Sequence, residues 1–246
     1  MEEEKKVFVA TAEAKGKAKQ FRLFAMLAWI VAIGLEIYAI LKLISNETMT
    51  MLIIAIVIIL ALAMTGSWLW KRANRMDPAS EKDKFRYFVQ NQLGAIMAVL
   101  AFLPLVIMIF TNKDLDGKSK GIAGAVGVVA LLVAGIFGVD FNPASIEKYT
   151  EEIQAQTEKI KELNGTDNVY WTTAGNKYHV FGDCHHIRDR EKFNGSVEKA
   201  WEERKIGDSE LCKTCEKRAI KERDAKSDSE NNVEDVVEEL EETVSQ

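Results

Sequence analysis

The segment MLIIAIVIILALAMTGSWLW, from Met51 to Trp70, has no charged side chain in 20 positions. A helix of this length crosses the hydrocarbon core of a bilayer. Comparable apolar segments elsewhere in the chain bring the predicted transmembrane spans to four, at 23–44, 51–70, 93–110 and 122–139. Helices that are apolar on every face are rarely found four times in a soluble domain. We therefore expect a membrane all-α domain, 23–140, with its four helices in an antiparallel bundle.

The distribution of charge predicts how this domain is oriented. Residues 1–140 contain 16 Lys and Arg against 12 Asp and Glu, whereas residues 141–246 contain 16 against 25. Twelve basic residues lie in the N-terminal tail 1–22 or follow the second span, and three follow the third span. Because basic loops stay on the cytosolic side, we expect both termini to be cytosolic and the protein to lie in the cell membrane.

Local motifs within the membrane domain predict helix starts, kinks and close contacts. Asp77-Pro78 is typical of an N-cap followed by the first turn of a helix, here the third. Pro104 predicts a kink in that helix. In the fourth span, Ala130, Ala134 and Gly138 are spaced four apart, which lets helix backbones approach closely, either within the chain or between two copies.

Glu36 is an acidic residue well inside the first span. A carboxylate at that depth costs about 2.5 to 3.5 kcal/mol on insertion scales, so its side chain should face the bundle interior or water. Glu36 is therefore a candidate intramembrane ion or proton site, as in a small transporter or channel regulated by the metal or redox state of the cytosolic part. The alternative is a hydrogen-bonded structural acid.

A helical juxtamembrane linker is predicted at 141–167. Along it, apolar residues recur at intervals of three and four with one polar position, at Ile146, Tyr149, Ile153, Gln156, Ile160 and Leu163. This heptad spacing favours a coiled-coil homodimer through 146–163 or an amphipathic helix that folds against its own chain. At the other end, residues 221–246 predict an acidic, disordered tail, since Glu222 to Gln246 includes 10 acidic residues.

The segment 168–220 contains every cysteine and histidine of the chain. They are His179, Cys184, His185, His186, Cys212 and Cys215. Three cysteines cannot pair fully in disulfides, and cytosolic thiols stay reduced. Three cysteines and one histidine complete the ligand set of a tetrahedral structural zinc site. With a hairpin at Val169–Thr173 and Lys177–Phe181 and a helix capped by Ser196, the segment predicts a small α+β domain of the zinc-ribbon type.

A family resemblance is carried by Tyr178-His179, Cys184, His186-Ile187 and the final Cys212-Lys213-Thr214-Cys215. At these positions the chain resembles the small zinc-binding domain of the bacterial Ada DNA-repair protein and its stand-alone relatives. The resemblance implies a closed Zn²⁺ site of His179, Cys184, Cys212 and Cys215. A histidine stands where Ada has the cysteine that accepts a methyl group, so methyl transfer is not expected.

The two remaining histidines are His185 and His186. We expect them either to substitute as metal ligands or to orient the ligands through contacts around the site. A site with four protein ligands leaves no open position on zinc for catalysis. The chain also has no Walker loop, nucleophile elbow or HExxH motif.

These observations predict a non-enzymatic membrane protein in contact with the lipid bilayer. It would be an adaptor or sensor that presents its zinc domain, or its acidic tail, to a cytosolic protein partner. Besides the transporter, a further alternative is a membrane-tethered nucleic-acid-binding protein, by analogy with Ada. Residues 168–218 contain 10 basic and 9 acidic side chains, which predicts no basic surface and argues against nucleic acid as a partner.

Overall fold

The computed structural model describes residues 7–173, 175, 177–204 and 210–225. The chain divides into two compact units, with the boundary between Lys148 and Tyr149. The predicted linker 141–167 is therefore shared between the two units.

Four long helices form the first unit. They are α1 (Ala12–Lys42), α2 (Met49–Met76), α3 (Lys84–Thr111) and α4 (Gly117–Gly138). Each is long and apolar enough to cross a membrane, so the four predicted spans are confirmed as four such helices. Large apolar side chains point outward from the helices, for example Ile30 at 65% exposed and Leu41 at 70%. An apolar exterior of this extent indicates a membrane protein.

Small residues bring α4 close to α3. Ala123, Gly127, Ala130, Ala134 and Gly138 are all buried inside the unit. A Cβ atom on Gly124 would lie 2.4 Å from the ring of Phe110, so a larger residue there would force that ring to move. The small-residue spacing of α4 thus serves packing within one chain.

The start of α3 is not where Asp77-Pro78 predicted it, and that prediction is wrong. Asp77 ends α2, and α3 begins at Lys84 after Asp83, whose carboxylate accepts a 3.1 Å hydrogen bond from the backbone N–H of Arg86. The Asp77 carboxylate instead pairs with Arg22 at 2.8 Å, and the Asp77 carbonyl accepts a second bond from that guanidinium at 2.9 Å. An ion pair with α1 therefore takes the side chain that would have capped α3.

The second unit combines short strands with helices. Its elements are the larger part of α5 (Ile146–Asn164), β1 (Asn168–Trp171), β2 (Lys177–Tyr178), β3 (Phe193–Ser196), α6 (Val197–Arg204), β4 (Glu210–Leu211) and a helix over residues 213–225, α7. The predicted capping by Ser196 is confirmed, since its hydroxyl accepts a 3.2 Å hydrogen bond from the N–H of Lys199. α7 extends into the predicted tail, and residues 226–246 lie outside the described residues.

Strand pairing differs from a simple hairpin. Tyr170 and His179 do exchange two backbone hydrogen bonds of 2.7 Å, as a hairpin requires. However, β1 forms its antiparallel ladder with β3, and β2 pairs in parallel with β4. The sequence of β3, Phe193-Asn194-Gly195-Ser196, contains weak strand formers, so nothing in its pattern predicts this partner.

The apolar face of α5 is covered by its own unit. Tyr149, Ile153 and Ile160 are buried, and Tyr149 packs edge-on against Trp201 with ring centroids 5.5 Å apart. This arrangement is the one expected of the amphipathic alternative. The homodimer through 146–163 stays a prediction and would have to use other side chains of the helix.

Candidate metal centre

Four side chains of the second unit converge on one point. They are His179, Cys184, Cys212 and Cys215, and their ligand atoms all lie within 4.8 Å of one another. All four residues are buried, with exposures of 4%, 6%, 3% and 1% in that order. The structure thus brings together the residues that the resemblance implied, in a group that could hold one metal ion.

The first two side chains are positioned by backbone hydrogen bonds around β2. His179 is held by its two-way pairing with Tyr170. Cys184 lies in a tight turn, where its N–H donates to the carbonyl of Phe181 at 3.2 Å. The Cys184 carbonyl in turn accepts from the N–H groups of Ile187 and Arg188 at 2.9 and 2.8 Å. The turn therefore directs the Cys184 thiol back toward His179.

The other two side chains come from the start of α7. The N–H of Cys212 donates to the carbonyl of Tyr178 at 2.9 Å, which ties this end of the helix to β2. The Cys212 carbonyl accepts from the N–H of Glu216 at 2.9 Å and so begins the helix. A three-residue interval on the first helical turn places Cys212 and Cys215 on the same side.

The environment of the thiols differs within the site. Burial raises the pKa of the Cys215 thiol to about 12. Burial also acts to raise the pKa of Cys212, but hydrogen bonds from the backbone N–H groups of Cys215 and Thr214 outweigh it and lower that pKa. Metal binding would convert these thiols to thiolates.

Neither His185 nor His186 belongs to the converging group. Both are exposed, and the ring of His186 lies 6.3 Å from that of His179 and 3.8 Å from that of His185, between centroids. Nε2 of His186 is 3.4 Å from the hydroxyl of Thr214, at the start of α7. Their roles as substitute ligands or orienting residues stay predictions.

Arg218 connects α7 to the turn that carries Cys184. Its guanidinium donates to both carboxylate oxygens of Asp183 at 2.9 Å and to Glu222 at 2.9 Å, and it lies 4.0 Å from the centroid of the Phe181 ring. Sequence reasoning missed this contact, and a basic residue 35 positions from its acidic partner gives no local signal. Two carboxylates already neutralise Arg218, so it contributes little net charge to the metal centre.

Glu36, the other predicted site residue, is in the first unit and is 2% exposed. Its Oε1 accepts a 3.3 Å hydrogen bond from the backbone N–H of Leu105. Leu105 follows Pro104, which lies inside α3 and interrupts the backbone bonding of that helix. This contact is the one that a hydrogen-bonded structural acid would make, and the ion or proton site stays a prediction.

Comparison of the chain with protein-family models, curated proteins and solved structures finds no match. The resemblance to Ada-type domains is therefore carried by the residues of the segment 168–218 alone.

Proposed function

We propose that this chain is a non-enzymatic, multi-pass membrane protein whose C-terminal domain is built around one structural zinc ion. The domain serves as an adaptor or sensor that binds a cytosolic protein partner. The observation that carries the proposal is the group of four buried ligand atoms within 4.8 Å.

Zinc is the metal that best suits these donors. Thiolates and imidazole together favour zinc over the oxygen-seeking Mg²⁺ and Ca²⁺. His179, Cys184, Cys212 and Cys215 would hold the ion and would leave no ligand position open, which favours a structural role. When bound, the ion supplies folding energy, which in zinc-finger peptides amounts to about 10 to 16 kcal/mol.

The strands of the second unit are short. Among the residues that the structure describes, this unit has two sheets of two strands each, with four-residue strands in one and two-residue strands in the other. Isolated two-stranded sheets are marginally stable in water. A metal ion would cross-link β2, the turn at Cys184 and the start of α7, which supports a zinc-ribbon type of fold resembling the Ada zinc domain.

The distribution of charge supports the proposed topology. An antiparallel bundle follows from the short loops between α1 and α2 and between α3 and α4. Basic residues concentrate in the N-terminal tail and in the loop between α2 and α3. The positive-inside rule then places both termini, and with them the metal centre, on the cytosolic side of the cell membrane.

Metal analysis of the full chain in lipid nanodiscs, purified without chelator, tests the zinc assignment. We expect one zinc per chain, lost in the double variant Cys212→Ser with Cys215→Ser and kept in the control Lys217→Gln, a change at an exposed position outside the ligand group. A chain that folds its C-terminal domain without metal would contradict the proposal. A pull-down from native membranes with the same variants then tests partner binding, which should depend on the two cysteines.

A small transporter is the second candidate, favoured by the burial of Glu36 among apolar helices. Flux of protons or cations into liposomes should then vanish in Glu36→Gln and persist in Glu13→Gln, a change in the exposed first turn of α1. Flux that is equal in both variants would remove this candidate. The geometry offers no comparable observation for nucleic-acid binding.

A further inference from the structure

A cleft of about 410 Å³ opens beside the metal centre within the second unit. His179 and Cys212 form part of its wall, so the cleft reaches two of the four metal ligands directly. Three basic side chains, Lys177, Arg190 and Lys213, also line it, and no acidic residue is found among the described residues that do so.

Two of these basic groups have no charged partner among the described residues. Lys177 forms an ion pair with Glu210 at 3.1 Å. Arg190 and Lys213 form no ion pair or side-chain hydrogen bond with another residue that the structure describes, and both are exposed at the cleft. Within the described part of the chain, no acidic side chain neutralises either of these two charges.

Charge balance selects the class of ligand. A divalent ion held by three thiolates and a neutral imidazole has a net charge of −1. The free cations Arg190 and Lys213 exceed this by one positive charge. One carboxylate neutralises that excess, whereas a dianionic phosphate would leave the cleft negative next to the thiolates. A guanidinium also binds a carboxylate through two parallel hydrogen bonds.

We propose that this cleft is a binding site for a carboxylate group, contacted by Arg190 and Lys213 and floored by the metal centre. Ile187 supplies an apolar wall for the rest of the ligand. The inference rests on the proposed zinc domain and names the chemistry that such a sensor would recognise.

The test is a calorimetric titration of the full chain in nanodiscs, with the metal content measured in each sample. N-acetylglycine is the probe, and its neutral analogue N-acetylglycinamide and inorganic phosphate are the comparisons. We expect N-acetylglycine to bind and both comparisons to bind at least roughly tenfold more weakly. Binding that weakens as ionic strength rises is also expected.

Matched variants locate the site. Arg190→Gln with Lys213→Gln should weaken N-acetylglycine binding roughly tenfold or more. Arg188→Gln with Lys217→Gln removes two nearby exposed cations outside the cleft and should leave the affinity unchanged. The inference is overturned if metal-loaded protein does not bind the probe, binds the amide equally, or loses affinity equally in both double variants. Protein without metal would instead contradict the proposed function.

A second experiment identifies the source of the carboxylate. The same titration is made on a chain that ends at residue 225 and so lacks the acidic segment 226–246. Tighter probe binding after truncation assigns the cleft to the chain's own carboxylates, and unchanged binding assigns it to a free ligand. Both results retain the carboxylate site, whereas absence of binding in both chains removes it.

Discussion

Gly138 of α4 lies directly against Gly94 of α3. A Cβ atom on Gly138 would be 2.5 Å from the carbonyl carbon of Gly94 and 2.5 Å from the backbone nitrogen of Ala95. Since both atoms belong to the backbone, no side chain can move aside to make room. The two glycines, which have no side chains, therefore allow the end of α4 to pack directly against the backbone of α3.

Gly138→Ala should destabilise the first unit by about 1 to 3 kcal/mol, because overpacking forces the two helices apart. The midpoint of thermal unfolding in nanodiscs measures this effect. Gly135→Ala is the matched control, since a Cβ there meets nothing within 4 Å. It should be neutral or stabilising by up to about 1 kcal/mol through helix propensity. Equal losses in both variants would contradict the close contact.

The ion pair between Arg22 and Asp77 should stabilise the bundle more than an exposed pair does. The side chains of Arg22 and Asp77 are 19% and 24% exposed. Asp77→Asn should lower the free energy of unfolding by roughly 1 to 3 kcal/mol, since it leaves a partly buried guanidinium without its anion. Glu13→Gln breaks the exposed pair of Glu13 with Lys17 and should change stability by less than about 0.5 kcal/mol. Equal effects of the two changes would show that burial does not matter here.

Gly165 ends α5 with a positive φ of 71°, and its N–H donates to the carbonyl of Lys161 at 2.8 Å. An L-residue with a Cβ is strained in this conformation. Gly165→Ala should therefore destabilise the second unit by about 1 kcal/mol, as measured by chemical unfolding of the full chain. Gly165→Asn should cost less, because asparagine tolerates the left-handed region. The reverse order of the two variants would contradict this account.

Metal affinity should rise with pH. Without metal, the Cys215 thiol has a pKa raised to about 12 and is protonated near neutrality, whereas the metal-bound form is a thiolate. Each binding event therefore releases at least one proton. The logarithm of the apparent association constant should increase by one or more per pH unit, measured by competition with a zinc chelator between about pH 6 and 8. An affinity independent of pH would contradict thiolate ligation by Cys215.

Much of the first unit could be predicted because each of its helices contains a long, uninterrupted apolar segment. In a membrane, an uncharged segment such as Met51–Trp70 is stable as a helix that crosses the bilayer. Its length and composition are sufficient to predict that helix. The ends of the helices were harder to predict. The Asp77-Pro78 motif favours an N-cap locally, but a contact 55 residues away, with Arg22, uses the same carboxylate.

In the second unit, the residues that could bind a metal were predictable from the sequence. Most of the contacts that hold them in position were not. Cys212 and Cys215 are close in sequence, with a spacing found in both metal sites and redox pairs. The pairing of β1 with β3 and the contact between Arg218 and Asp183 join residues that are distant in sequence. The segments around them show no clear pattern of apolar and polar residues. Such contacts depend on the whole fold, and no local propensity encodes them.

The order of the ligands along the chain sets an order of events during synthesis. His179 and Cys184 leave the ribosome before Cys212 and Cys215, and all four apolar helices precede them. A chain made from its N-terminus can therefore insert its helices while the metal site still lacks half of its donors. Scarcity of metal would then leave a correctly inserted protein with an unfinished domain, open to proteolysis. Metal binding would thus come after insertion of the four helices.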